Sequence, residues 1–232
     1  VFHRPDSALA LCDQMAALDY HKVLIVTDGF LAASGILDGI KSRLDSISVN
    51  YSIYDGVLPD PGFDKVKEAQ QLLATENCQA IIAVGGGSVL DAAKMASMLH
   101  TNPGVLDDFS AIQPFKKIGV PLFAIPTTAG TGSEITMVAV ITDPDDHKKV
   151  MVVDSKMIAT AIALDASLMK GLPAGITAAT GMDALTHAVE SFLATSSNDA
   201  SEEHARAAVK LIFKYLLRAW QQGDDIEARD GM

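Results

Sequence analysis

The sequence predicts an α/β protein in which a parallel-sheet domain is followed by an all-helical domain. Three observations predict it. Over the first two-thirds of the chain, short apolar β-branched runs alternate with longer stretches of helical spacing, the pattern of stacked β-α-β units. Small-residue, polar loops follow two of the runs. After "KGLPAG" (170–175) the composition becomes Ala-rich and helical to the end.

Taken in order, "PDSALALCDQMAAL" (5–18) has helical spacing and "KVLIVTD" (22–28) reads as a buried strand. Residues 30–44 are a second helix, and "VNYSIYD" (49–55) is a more alternating strand. "FDKVKEAQQLLATE" (63–76), "QAIIAVGGG" (79–87), "SVLDAAKMASMLH" (88–100) and "VPLFAIPTT" (120–128) continue as helix, strand, helix, strand. "MVAVITD" (137–143) and "KKVMVVD" (148–154), joined by the turn-prone "PDDH", predict a hairpin appended to the sheet, and "TAIALD" (160–165) one more strand. Helices are expected over about 176–195 and 200–221. The boundary falls near residue 168, with an α/β domain over 1–167 and a helical domain begun by 168–232. The chain starts "VFHRPD" without a methionine and stops at "EARDGM" just after a helix-like segment, without punctuation that closes a domain, so it reads as a truncated or partly covered one.

Composition narrows the function. A hydrophobic fraction of 49% with 20% charged residues fits a packed globular chain. A net charge of -11 argues against nucleic acid as a partner, because phosphate binding needs a basic surface. Cys12 and Cys78 stand far apart without a CxxC pattern, so buried reduced thiols are expected. No apolar run approaches the roughly 20 residues of a membrane span, and no signal segment opens the chain, so a cytoplasmic location and no membrane partner are expected.

Four stretches carry chemistry. In "VGGGSVLDAAK" (84–94) a strand, a triple-glycine turn and a helix start follow one another, the arrangement that lets backbone N–H groups approach a pyrophosphate. Ser88 and Asp91 also have capping-box spacing, which would do no more than start the helix. "PTTAGTGSEIT" (126–136) is a second polar loop at a strand end, where Thr127, Thr128, Gly130, Thr131 and Ser133 would offer hydroxyls and close backbone approach. Asp28, at the end of a strand, has the place of a carboxylate that binds ribose hydroxyls and repels a 2′-phosphate, favouring NAD over NADP; a helix N-cap is the other reading. Asp183 and His187 in "GMDALTHAVES" (181–191) lie at i and i+4, which puts their Cβ atoms about 5–6 Å apart. That spacing serves a side-chain hydrogen bond or two ligands of one divalent ion, for which Fe²⁺ or Zn²⁺ suits the donors better than Ca²⁺ or Mg²⁺.

Together, "VLIVTDGFLAASG", "YDGVLPDP", "GGGSVLDAAK", "IPTTAGTGSE" and "TGMDALTHAVES" resemble the iron-containing, or group III, alcohol dehydrogenases along nearly the whole chain. The resemblance implies a Rossmann-like domain that binds NAD(P), a helical domain that holds a divalent metal, and a homodimer. Carried over by position, Asp28 would contact the adenosine ribose, and Gly86, Gly87 and Ser88 the pyrophosphate. Thr127, Thr128 and Ser133 would line the cofactor cleft, with Lys149 near the nicotinamide end. Asp183 and His187 match the first two metal ligands; the family's two further histidines have no counterpart, since the only later histidine, His204, reads as an exposed helical residue.

The implied activity is hydride transfer between NAD(H) and a small primary alcohol, aldehyde or diol, with the metal stabilising the alkoxide. Two alternatives are a cofactor-binding fragment without turnover and a lyase of the dehydroquinate synthase type. In the latter family the first metal ligand is a glutamate, so Asp183 favours the dehydrogenase. His21 and His100 read as surface residues, "HKK" (147–149) as a hairpin turn, and Glu134 and Glu190 as near the site or merely solvated. Trp220 is expected to pack the last helix, and "GDD" (223–225) to be a solvated turn.

Overall fold

The computed structural model describes all 232 residues. The chain divides into two compact units, Val1–Pro126 with Ser133–Leu164, and Thr127–Gly132 with Asp165–Met232.

The first unit is built on the apolar runs. Strands β1 (Phe2–His3), β2 (Lys22–Asp28), β3 (Asn50–Val57), β4 (Ala80–Gly85), β5 (Leu122–Pro126) and β8 (Ala161–Leu164) form one sheet in the order β1-β8-β5-β4-β2-β3. Every pairing in it is parallel. A parallel sheet is covered on both faces, which is why these strands read as continuous apolar runs. Alternate residues go to opposite sides: Leu24, Val26, Ile81, Ala83, Leu122 and Ala124 join one core with α4 (Phe63–Thr75) and α5 (Gly87–Thr101). Val23, Ile25, Ile82, Val84, Phe123 and Ile125, equally buried, face the other way. Helices α1 (Ser7–Ala17) and α3 (Asp38–Ser46) pack together.

Several expectations are corrected. The single helix over 30–44 is two, α2 (Gly29–Ala33) and α3, because Gly35 adopts a left-handed φ of 82° that no continuing helix tolerates. The hairpin β6 (Val138–Thr142) and β7 (Lys149–Val153) is a separate antiparallel pair and does not extend the large sheet. Side chains explain why: on β6 the Val140 N–H donates to Asp91 and the Val138 carbonyl accepts from Lys94, so α5 occupies positions a neighbouring strand would use. The two-residue edge strand β1 is too short to carry a sequence pattern.

The second unit is helical. Helix α6 (Ala174–Leu193) starts after Pro173, and α7 (Asp199–Gln221) starts on an Asn198–Ser201 capping box. The two cross closely at Gly181, where an added Cβ would lie 2.2 Å from Leu216 Cδ1. "GDD" is a turn at Gly223–Asp224 with Asp224 exposed, and it also starts a third helix: Asp225 accepts from the Ala228 N–H at 3.0 Å and caps α8 (Ile226–Gly231). Tyr215, Ala219 and Ala228 make a small core there, whereas Trp220 points out and is 46% exposed.

Candidate functional site

Strand order locates the crevice. From β2 the chain moves to β3 on one side and then to β4 on the other, so the winding reverses between β2 and β4. Ligands of open α/β sheets bind outside the carboxyl ends of the strands at such a switch point. Backbone pairing of these strands ends at Val26 with Ala83, and one residue later the buried Thr27 hydroxyl donates to the Val84 carbonyl at 2.8 Å. Beyond that bond Asp28 leads directly into α2 and Gly86 into α5, each as the N-cap residue.

Asp28 does one of its two expected jobs visibly. Its Oδ1 accepts from the Leu31 N–H at 2.8 Å and caps α2, which leaves Oδ2 outside the cap. At the end of β4, Gly85 cannot be larger, because an added Cβ would meet Val89 Cβ at 2.5 Å. Gly86 is the N-cap of α5 and no side chain caps that helix. The capping box read from Ser88 and Asp91 is therefore absent: Asp91 turns away, accepting from the Ser133 hydroxyl at 2.6 Å and the Val140 N–H at 2.9 Å. The N–H groups of Gly87 and Ser88 and the positive end of a 15-residue helix stay available to an anion.

The residues after β5 differ in their availability. Pro126 stands opposite Gly85 in the sheet register, and Thr127 and Thr128 follow it directly. Thr127 is buried, and the Thr128 Oγ1 is buried with no hydrogen-bond partner, a hydroxyl suited to a ligand's polar atom. Gly130 lets the loop lie on α6, since a Cβ there would sit 2.1 Å from the Thr180 carbonyl oxygen. Ser133 is committed: its hydroxyl accepts from Lys94 Nζ at 2.9 Å while donating to Asp91. Lys149 is exposed and ion-paired with Asp60 at 2.7 Å.

In the helical unit, Asp183 Oδ1 and His187 Nε2 are 3.7 Å apart with side chains 42% and 51% exposed. Two ligands of one ion with bonds near 2.1 Å in tetrahedral array are about 3.4 Å apart, so the pair fits a shared divalent ion with little adjustment. No cluster of three or more His, Cys, Asp or Glu suited to a metal ion exists in the chain. Glu190 and His204 are exposed. Both cysteines are free and buried, and burial, aided by Asp13, pushes the Cys12 thiol up to about 12.

Two residues central to this architecture escaped the sequence reading, Lys94 and the true role of Asp91. Burial lowers the Lys94 ammonium and raises the Asp91 carboxyl relative to their ordinary ranges, each opposed by the other's charge. The signal was a lysine inside the apolar stretch "AAKMASM" three residues after an aspartate.

The family model for iron-containing alcohol dehydrogenases matches residues 1–166, and that for the C-terminal part of the Fe-containing alcohol dehydrogenase family matches residues 177–232. The chain belongs to the iron-containing alcohol dehydrogenase family. Within it, the chain is 41% identical to the NAD-dependent methanol dehydrogenase of Bacillus methanolicus over 91% of its own length and 55% of that protein's. It is 40% identical to alcohol dehydrogenase 4 of Schizosaccharomyces pombe over 94% of its length and 52% of the relative's. The chain thus spans about half the length of these curated relatives. The alcohol dehydrogenase of Oenococcus oeni superimposes with a TM-score of 0.96 at 36% identity, covering 99% of this chain and 61% of that one.

Proposed function

We propose that this chain carries the dinucleotide site and the first two metal ligands of an NAD-linked, metal-dependent alcohol dehydrogenase acting on a small primary alcohol, aldehyde or diol. The carrying observation is the switch point, where the Asp28 carboxylate and the uncapped N-terminus of α5 stand at the ends of β2 and β4. Residues 1–167 are the dinucleotide domain in this reading and 168–232 the start of the metal domain. The relatives' NAD dependence and the family's iron support it, as does the orphaned Thr128 hydroxyl.

The overall conversion would be alcohol and NAD⁺ to aldehyde, NADH and a proton. Asp28 would accept from the adenosine ribose and exclude a 2′-phosphate by charge, and Gly87 and Ser88 would donate backbone N–H groups to the pyrophosphate. Thr127 and Thr128 would hold the nicotinamide half in orientation. Asp183 and His187 would hold the metal ion, Fe²⁺ or Zn²⁺, which when bound supplies Lewis acidity toward an alcohol oxygen. A cytoplasmic homodimer is part of the proposal; no helix is long and apolar enough to cross a membrane.

Titration with NADH and NADPH, followed by nicotinamide fluorescence, tests the reading. NADH is expected to bind at least about tenfold more tightly than NADPH, a difference of ~1.4 kcal/mol. Equal affinities, or no binding of either, would overturn it.

A further inference from the structure

Lys94 lies about two turns inside α5 and is 1% exposed. Its ammonium has three donors and uses all of them: Ser133 Oγ at 2.9 Å, Thr136 Oγ1 at 3.1 Å and the Val138 carbonyl at 2.7 Å. Asp91, one turn earlier, stands 3.6 Å from the ammonium and accepts from Ser133 Oγ and the Val140 N–H. Ser133 links the two charges, and four points on the segment 133–140 are held by a single helix.

A buried ion pair is a weak source of net stability, and apolar side chains of similar volume often do as well. What the charges add is geometry, because each bond fixes one atom of the incoming chain. That chain arrives at Ser133 directly from Thr127–Gly132, the loop with the proposed cofactor hydroxyls. The same helix presents Gly87 and Ser88 at its N-terminus.

Resting on the dinucleotide reading above, we propose that Lys94, with Asp91 and acting through Ser133, is a positioning residue of the cofactor site. It fastens the end of the Thr127–Gly132 loop to the helix that cradles the pyrophosphate. Lys94 touches no ligand itself, and the nicotinamide half of the dinucleotide depends on it while the adenylate half does not.

The test compares NADH and AMP affinities of wild type, Lys94→Met, Ser133→Ala and the double variant, at temperatures well below each melting point. Each single substitution is expected to weaken NADH about tenfold, with the double no weaker than the worse single, since residues acting through one another are not additive. AMP affinity should stay within about twofold of wild type, because AMP has no nicotinamide half to meet the Thr127–Gly132 loop. Unchanged NADH affinity in folded Lys94→Met, equal losses for AMP and NADH, or losses that multiply would each overturn the proposal. Should Lys94→Met fail to fold, Thr136→Val removes one acceptor without stranding a buried charge, and a loss of about threefold for NADH alone is expected; no loss would overturn it. Wild type that binds no NADH would sink the dinucleotide reading itself, a distinguishable result.

Discussion

The Thr27 hydroxyl bonds to the Val84 carbonyl at 2.8 Å one residue beyond the last backbone pair of β2 and β4. A side chain thereby closes the ladder at the point where the backbone pairing of the two strands ends. Thr27→Val conserves volume but leaves a buried carbonyl unpaired. The variant is expected to lose about 1–3 kcal/mol in urea denaturation, the cost of one unsatisfied buried acceptor; a loss within error would mean the bond adds nothing.

Asp28 combines a helix cap with a charge, and the two roles separate by substitution. Asn caps as well as Asp, so Asp28→Asn should melt like wild type while its preference for NADH over NADPH shrinks. Asp28→Ala should lose the preference and also about 1 kcal/mol of stability. Parallel melting curves and dinucleotide titrations check both arms.

Two carboxyl groups should give opposite pH dependences. Burial holds Glu134 above its usual value of 4.5, opposed by a bond to its own N–H and by Lys94. Its contribution to stability is therefore fully present below about 4.5 and is lost as pH rises through the higher folded value. Relative to wild type, Glu134→Gln should become progressively more stable as pH climbs past 4.5. Asp225, lowered first by the Ala228 N–H and then by Arg218, contributes stability above 3.8 that is lost as pH falls through its depressed folded value. Asp225→Asn should lose the acid part of that dependence, read from melting points between pH 2 and pH 6, a window set about these values.

Arg229 is buried, feels the charge of Asp224, and donates to Thr177 Oγ1 at 2.7 Å, the Gly223 carbonyl at 3.0 Å and the Leu172 carbonyl at 3.2 Å. It ties α8 to the start of α6. Arg229→Met should destabilise the helical unit by about 2–4 kcal/mol, since three acceptors are stranded. The chain's single tryptophan, Trp220, lies in α7 and reports that unit's unfolding by fluorescence.

The Asp183–His187 pair should bind one divalent ion through both side chains. Calorimetric titration with Zn²⁺ is expected to show one site in wild type and none in His187→Ala or Asp183→Ala. Binding that survives both substitutions would place the ion elsewhere.

Much of this was readable along the chain because it depends on local period and order. The runs 23–26 and 80–84 are apolar at every position because β2 and β4 are covered on both faces, and the loops that matter follow such strands directly. Asp28 declared itself as a carboxylate at a strand end, and its capping bond to Leu31 is a local contact. Asp91 did not: capping-box spacing is also local, yet its carboxylate is drawn to Ser133 and Val140 in a distant segment. The hairpin misled for the same reason, since β-branched alternation cannot say whether an edge will meet a strand or a helix's side chains.

The sequence by itself determined the family, the alternation of strands and helices, the glycine turn, and the Asp183–His187 spacing, because each lies within one or two turns of backbone. Tertiary structure decided the strand order that creates the switch point and the commitment of the Ser133 hydroxyl. It also decided the burial of Lys94 and the exposure of Trp220. Those outcomes depend on which surfaces remain to be covered once all the elements pack, and burial and hydrogen-bond satisfaction are properties of that packing.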